Sequence, residues 1–187
     1  MNASKETSLE ERVAHLEKQL STKEKKSPTD QKSNHIILII CTQDLDQVLP
    51  ALVIATNAAT LGIKVTIFFT IWGINVIKKK RILAKKSFTE KLLSILTPRS
   101  NKHLPMSNLN LFGIGPMLLK HMLKEHKIPS LDELLELCRE LDIRFTACEL
   151  TMNLFGITEK ELLEHAKCTG VTSIISEAAT ANCTLFI

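Results

Sequence analysis

From His35 onward, short unbroken apolar runs alternate with longer stretches in which apolar residues recur every three or four positions. His35 to Cys41 (HIILIIC) is β-branched without polar interruption, the mark of a strand covered on both faces. Leu45, Val48, Leu49, Leu52, Val53 and Ala59 share one stripe, which predicts a helix within Asp44–Leu61. Pro50 is tolerated only in a first turn, so the start is expected near Asp46, and Gly62 stands where such a helix ends. Lys64 to Thr70 predicts a second buried strand, and Ile71 to Arg81 a lead into a short helix. Between Ile82 and Leu111 the pattern weakens; Pro98, Pro105 and several Ser and Asn residues predict a long loop or mobile excursion.

Regularity returns with helices expected over Phe112–Lys127 and Leu131–Leu141. Ser130 and Glu133 form a capping box before the second, whose apolar face carries Cys138 beside Leu134 and Leu141. Ile143–Ala147 predicts a third strand. Thr158 and Glu161 repeat the capping signature ahead of a helix over Glu159–Ala166. Val171–Ile175 reads as a fourth strand and Cys183–Ile187 (CTLFI) as a last one. Strands and helices in alternation imply a parallel sheet with right-handed crossovers.

Residues 1–34 differ from this body. Leu9, Val13, Leu16 and Leu20 follow the a/d spacing of a coiled-coil seam, with Ser8 and Glu11 as a capping box. Two heptads are too few for a stable isolated helix, so the segment is expected to pair with copies of itself or to fray. Lys23 to Asn34, with Pro28, is a polar linker. The expected organisation is therefore a short coiled-coil helix and linker over 1–34 and one α/β domain over 35–187.

Composition narrows the chemistry. The 187 residues are 44% hydrophobic but only 4% aromatic, with no tyrosine, so the core is aliphatic. A net charge of +4 is mild. The basic run Lys78–Arg81, with Lys85 and Lys86, has no interleaved aromatics and reads as a solvated helix end rather than a nucleic-acid surface. Val65–Ile77 is the longest apolar run and falls short of the roughly 20 residues a membrane-spanning helix needs. Five cysteines lack CxxC or zinc-type spacing, and the amino-terminus is charged without a signal-peptide core. Free thiols in a reducing cytoplasm, with no metal and no cofactor, are the expectation.

The stretch Ala147–Ile157 (ACELTMNLFGI) concentrates the candidate chemistry. Cys148 ends an apolar strand, and Thr151 and Asn153 open the following turn without burying it. A thiol there sits beside free backbone N–H groups, where the positive end of a helix favours the thiolate. Glu149, next in sequence, opposes that charge. Cys41 ends the first strand as Cys148 ends the third, and ligand crevices in open parallel sheets lie at these carboxyl ends. His103, Pro105 and Met106 form a loop ahead of a helix, a candidate lid.

Val65–Ile77 (VTIFFTIWGINVI), ACELTMNLFGI and the terminal TLFI resemble the DsrE/DsrF-like proteins, in particular the longer DsrE-like branch, some members of which carry a sulfur-carrier or peroxiredoxin-family label. The resemblance covers roughly residues 35–187 and excludes the amino-terminal extension. It implies a flavodoxin-like, three-layer α/β fold with a mainly parallel sheet of about five strands, and homo-oligomers of three or more subunits. It also implies sulfur trafficking, in which Cys148 accepts sulfane sulfur as a persulfide and passes it to a partner protein. Cys41, His103 and Met106 are possible accessory residues. The alternative is a non-catalytic nucleotide- or coenzyme-binding oligomeric module, although the turn Thr42-Gln43-Asp44 lacks a phosphate-cradling glycine. A thiol peroxidase is a third reading; it would need an arginine at the thiol, and Arg144 lies four strand residues away, about 13 Å.

Overall fold

The computed structural model describes residues 33–80, 82, 97–98, 100–106 and 114–187. Of the expected coiled-coil helix and linker over 1–34, residues 1–32 lie outside the described residues, as does most of the expected loop over 82–111; Ser33 and Asn34 belong to the first strand. In chain order the elements are β1 (Ser33–Ile40), α1 (Leu45–Thr60), β2 (Lys64–Phe69), a 3₁₀ segment Ile71–Ile77, a 3₁₀ turn Asn101–His103, α2 (Ile114–Glu125), α3 (Leu131–Glu140), β3 (Arg144–Cys148), α4 (Glu149–Phe155), a 3₁₀ turn Glu159–Glu161, β4 (Lys167–Thr169), α5 (Val171–Ala178) and β5 (Ala181–Phe186).

The strands form one sheet in the order β4-β3-β2-β1-β5. Neighbours from β1 to β4 run parallel. β5 joins in the same direction: Ile187 donates its N–H to the Ile39 carbonyl (2.8 Å) and accepts from the Cys41 N–H (2.7 Å). The result is the expected five-stranded, flavodoxin-like α/β architecture. Its order has a physical consequence. Strands one to four step across the sheet in one direction, so right-handed crossovers place α1, α3 and α4 on one face. The step from β4 back to β5 reverses direction and places α5 on the other.

Burial follows this division. Leu38, Ile40, Val65, Ile67, Phe69, Phe145 and Ala147 face the large cluster with Val48 and Leu52 of α1, Leu134 and Cys138 of α3, and Met152 and Phe155 of α4. Phe69 and Phe145 meet edge-on, 5.3 Å between centroids. On the opposite face, Phe68, Cys148 and partly buried Ile39 pack with Ile174 of α5. Polar contacts complete that face: His35 is buried with Nε2 2.9 Å from the Thr66 hydroxyl, and Arg144 pairs with Glu177 of α5.

Several local expectations change. Val171–Ile175 is helical, because Val171, Ile174, Ile175 and Ala178 also share a helical stripe, and Ile174 is buried by it. The fourth strand is instead Lys167–Thr169, too short to declare itself. The capping box of Thr158 and Glu161 forms, but opens only one 3₁₀ turn. There the Leu163 N–H is drawn to the Ile77 carbonyl (2.9 Å) and Lys78 bridges Leu162, which pulls the chain out of a helix. Ile71–Ile77 is likewise 3₁₀. Gly73 lies so close to β1 that a Cβ would fall 2.1 Å from the Ile40 carbonyl oxygen. Gly62 ends α1 beyond Leu61 with φ +76°, the left-handed geometry expected of it.

Candidate functional site: a cradled thiol at the carboxyl edge

Register brings the strand ends level. Phe69 pairs with Ile40 on one side and Ala147 on the other, and Cys148 pairs with Thr169. One residue further on, Cys41, Thr70, Cys148 and Thr169 therefore form a row across the carboxyl edge, on the face that α5 covers. The Thr70 N–H bonded to the Ile40 carbonyl (3.0 Å) keeps β1 and β2 in step up to that row.

Cys148 is the last residue of β3 and the N-cap of α4. Sequence reasoning expects a polar turn after it; the chain instead enters a helix, because Thr151, Met152 and Phe155 repeat at buried helical positions. The thiol was also expected to stand unburied, and here the structure corrects the sequence. Cys148 is 1% exposed, because Ile174 of α5 lies over it beside Phe68.

Burial alone raises a thiol pKa, and it is the largest influence on Cys148. Hydrogen bonds from the hydroxyls of Thr151 and Thr70 and from the backbone N–H groups of Thr151 and Leu150 together outweigh it, so the pKa lies below the ordinary value. The hydroxyls are themselves held. Thr70 and Thr151 Oγ1 stand 3.1 Å apart, and Thr151 Oγ1 accepts from the Ile71 N–H at 3.0 Å. With the Ile71 N–H occupying one lone pair, the single Thr151 proton has two acceptors in reach, the Thr70 hydroxyl and the Cys148 sulfur. Ile71 reaches this position with φ +48°, a left-handed conformation that a β-branched residue adopts only at a cost.

Glu149 does not act where the sequence places it. Its carboxylate leans toward Gly170, 3.6 Å from where a Cβ would stand. Its charge falls on Cys168, a half-buried residue of β4 that sequence reasoning passed over. Burial first, then Glu149, Glu159 and Cys148, push the Cys168 thiol up. Cys168 pairs with Ala147, so it faces the large cluster rather than the α5 side. Only the three-residue strand that carries it could have signalled its place.

The structure sets Cys41 in the same row as Cys148, half-buried, with its pKa raised by burial and then by the Cys148 charge. Met106 packs instead against the large cluster, and the Pro105 carbonyl accepts from the Leu45 N–H (2.9 Å) at the start of α1. His103 closes a 3₁₀ turn, and its side chain lies outside the described residues. Arg144 is engaged at the far end of β3 by Glu177 and Thr66. The turn after β1 is stapled by its own side chains, with Thr42 Oγ1 donating to Asp44 and Gln43 accepting from Asn75 at 2.8 Å. A groove of about 990 Å³ between α1, α2 and α3, lined by Leu49, Leu123, Lys124 and Glu136 among others, contains none of the cysteines. Among the described residues no group of three or more His, Cys, Asp or Glu side chains is placed to hold a metal ion, and no helix is long and apolar enough to cross a membrane.

A five-stranded parallel sheet with helices on both faces defines a flavodoxin-like α/β protein, and the donor-cradled cysteine lies at its carboxyl edge. The chain belongs to the DsrE/DsrF/DrsH-like family, whose family model matches residues 32–186. It is 33% identical over 158 residues to the uncharacterized protein YrkE of Bacillus subtilis, covering 84% of this chain and 99% of that protein. It is 29% identical over 165 residues to the sulfur carrier protein DsrE2 of Allochromatium vinosum, covering 81% of this chain and 97% of that protein. The crystal structure of the ychN protein from E. coli superposes with a TM-score of 0.48 at 10% identity, over 82% of this chain and 99% of that one.

Proposed function

We propose that this protein traffics sulfur, accepting sulfane sulfur on Cys148 as a persulfide and passing it to a partner protein. The observation that carries the reading is the Cys148 cradle: burial raises the thiol pKa, and donors from Thr151, Thr70 and Leu150 outweigh it and hold the pKa below its ordinary value. Sulfur transfer asks for such a group, since thiolate is the attacking species. The thiolate attacks the outer sulfur of a persulfide donor, the donor thiolate leaves, and Cys148 carries the new S–S bond. Family membership and the sulfur-carrier relative support the same direction. The protein is proposed to work as a homo-oligomer of three or more subunits, with residues 1–34 as an associating extension of a domain over 35–187. Deleting residues 1–34 and measuring the solution mass of both forms tests that; a folded monomer in both would refute it.

The test of function is mass spectrometry after exposure to a low-molecular-mass persulfide. A stable gain of one sulfur atom, mapped to Cys148 and lost in Cys148→Ser, is expected. Stable sulfur located on Cys138 or Cys183 would overturn the assignment.

A further inference from the structure

Cys148 has a cradle but no evident opening, because Ile174 and Phe68 cover it and its residue is 1% exposed. A carrier whose thiol is so enclosed needs a way to exchange cargo. Cys41 supplies the chemistry in the right place. It stands one residue beyond β1, level with Cys148 and on the same face, with only Thr70 between them. It is half-buried where Cys148 is closed. It also marks the topological switch: β2 lies on one side of β1 and β5 on the other, and the helices following β1 and β4 occupy opposite faces. The crevice of an open parallel sheet opens at that point.

We propose that Cys41 is a second sulfur-carrying residue, the port through which Cys148 exchanges sulfane sulfur with donors and acceptors. This rests on the persulfide reading of Cys148. The spacing favours transfer over any competing thiol chemistry. Two strand-to-strand steps of about 4.8 Å separate the two Cα atoms by about 10 Å. A disulfide tolerates at most about 6.8 Å, so direct oxidation of the pair would require the backbone to move. Sulfane transfer places one additional sulfur in line between the thiols, which extends the span by one S–S distance, about 2 Å, or slightly more in the transition state. That reaches about 9 Å, within about an ångström of the observed register.

On loading, the Cys148 thiolate attacks the outer sulfur of Cys41–S–SH. The bond between that sulfur and Cys41 breaks, a new bond forms to Cys148, and Cys41 leaves as a thiolate that takes up a proton from solvent. Unloading is the reverse, with Cys41 as nucleophile and Cys148 as leaving group, stabilised by its four donors. There is no net oxidation in either direction. Burial first, and then the charge on Cys148, push the Cys41 pKa up, which favours Cys148 as the nucleophile on loading.

The full-length protein is loaded with glutathione persulfide, freed of excess reagent, alkylated at intervals and mapped by peptide mass spectrometry. Persulfide is expected first and transiently on Cys41 and then stably on Cys148 in the wild type, with no intramolecular disulfide between them. In Cys41→Ser and Cys41→Ala, loading of Cys148 and its discharge to glutathione are expected to slow about tenfold, while Cys183→Ser leaves both unchanged. Wild-type rates in both Cys41 variants, or persulfide on Cys168 in place of Cys41, would overturn the proposal while leaving Cys148 as the carrier. Failure of Cys148 to load in any form after prolonged exposure would overturn the carrier reading as well. Because the wild-type digest locates the sulfur directly, a variant that folds poorly does not decide the result.

Discussion

Thr151 is the keystone of the cradle, and replacing it with valine isolates the hydroxyl from the shape. Thr151→Val keeps the branched volume of a side chain that is 1% exposed and removes three polar relations at once: its bond to the Cys148 sulfur, its contact with Thr70, and its acceptance of the Ile71 N–H. A hydrogen bond to a charged group contributes about 1.5–3 kcal/mol. At 1.36 kcal/mol for each pH unit, its loss should raise the titration midpoint of Cys148 by about one to two pH units. The orphaned Ile71 N–H adds a folding cost of about 1–3 kcal/mol, enlarged if Ile71 keeps its left-handed backbone without a partner. The measurement is the alkylation rate of Cys148 against pH, each profile scaled to its own plateau so that slower access to a buried thiol cancels. Thiolate ultraviolet absorbance gives an independent midpoint. Thr151→Ser should recover the wild-type profile. An unchanged midpoint in Thr151→Val, with the protein folded, would refute the claim that side-chain donors lower this pKa.

Three further outcomes are expected. Cys138, fully buried on α3 with its pKa pushed up by burial to about 12, should resist alkylation in the native protein and label only on unfolding, which a denaturant titration with pulsed labelling reads. Burial first, then Lys64 and Arg144, outweigh Glu177 and hold the His35 pKa below its ordinary 6.5, so the native state binds this proton less readily than the unfolded chain. Its contribution is therefore complete above pH 6.5 and lost as pH falls below it toward the lower native value; urea midpoints should fall with acidification, and less steeply in His35→Gln. His165, its pKa lowered chiefly by burial, acts in the same direction. Gly73→Ala would drive a methyl into the Ile40 carbonyl, and a loss of about 1–3 kcal/mol in chemical unfolding is expected, with altered alkylation of the adjacent Cys41.

The sheet was readable because its central strands are buried on both faces. HIILII and VTIFF carry one polar residue each, His35 and Thr66, which meet each other, and a run so apolar has few other stable placements. The capping box at Ser130 was equally legible, since Ser130 and Glu133 satisfy each other without outside help. What could not be read depended on distant partners. VTSII has strand composition, yet becomes helical because α5 must reverse the crossover and bury Ile174 against Phe68. The capping signature at Thr158 fails to propagate because Ile77, more than eighty residues earlier, captures the Leu163 N–H. At the site, Cys148 was evident as a strand-end thiol, but its burial comes from Phe68 of β2 and Ile174 of α5, and of its two threonine donors Thr151 stands on α4 and Thr70 just beyond β2. Thr70 joins it only through strand register, and Cys41 likewise.

The strand order also sets a timetable for folding. β5 lies beside β1, and the His35 N–H bond to the Asn182 side chain closes a loop of 147 residues. Contacts of such long separation form late, because loop-closure entropy must be met before they return any stabilisation. β1, β2 and β3 can align with α1 and α3 beforehand, since every link among them is shorter. The helix that shields Cys148 is anchored between β4 and this last strand, so the thiol is expected to remain naked until the final step of assembly. Maturation of the chain therefore contains an interval in which Cys148 is open to any electrophile. Refolding in the presence of a slow alkylating agent should trap a species with a paired β1–β2–β3 sheet, a modified Cys148 and an undocked carboxyl-terminal hairpin of helix and strand.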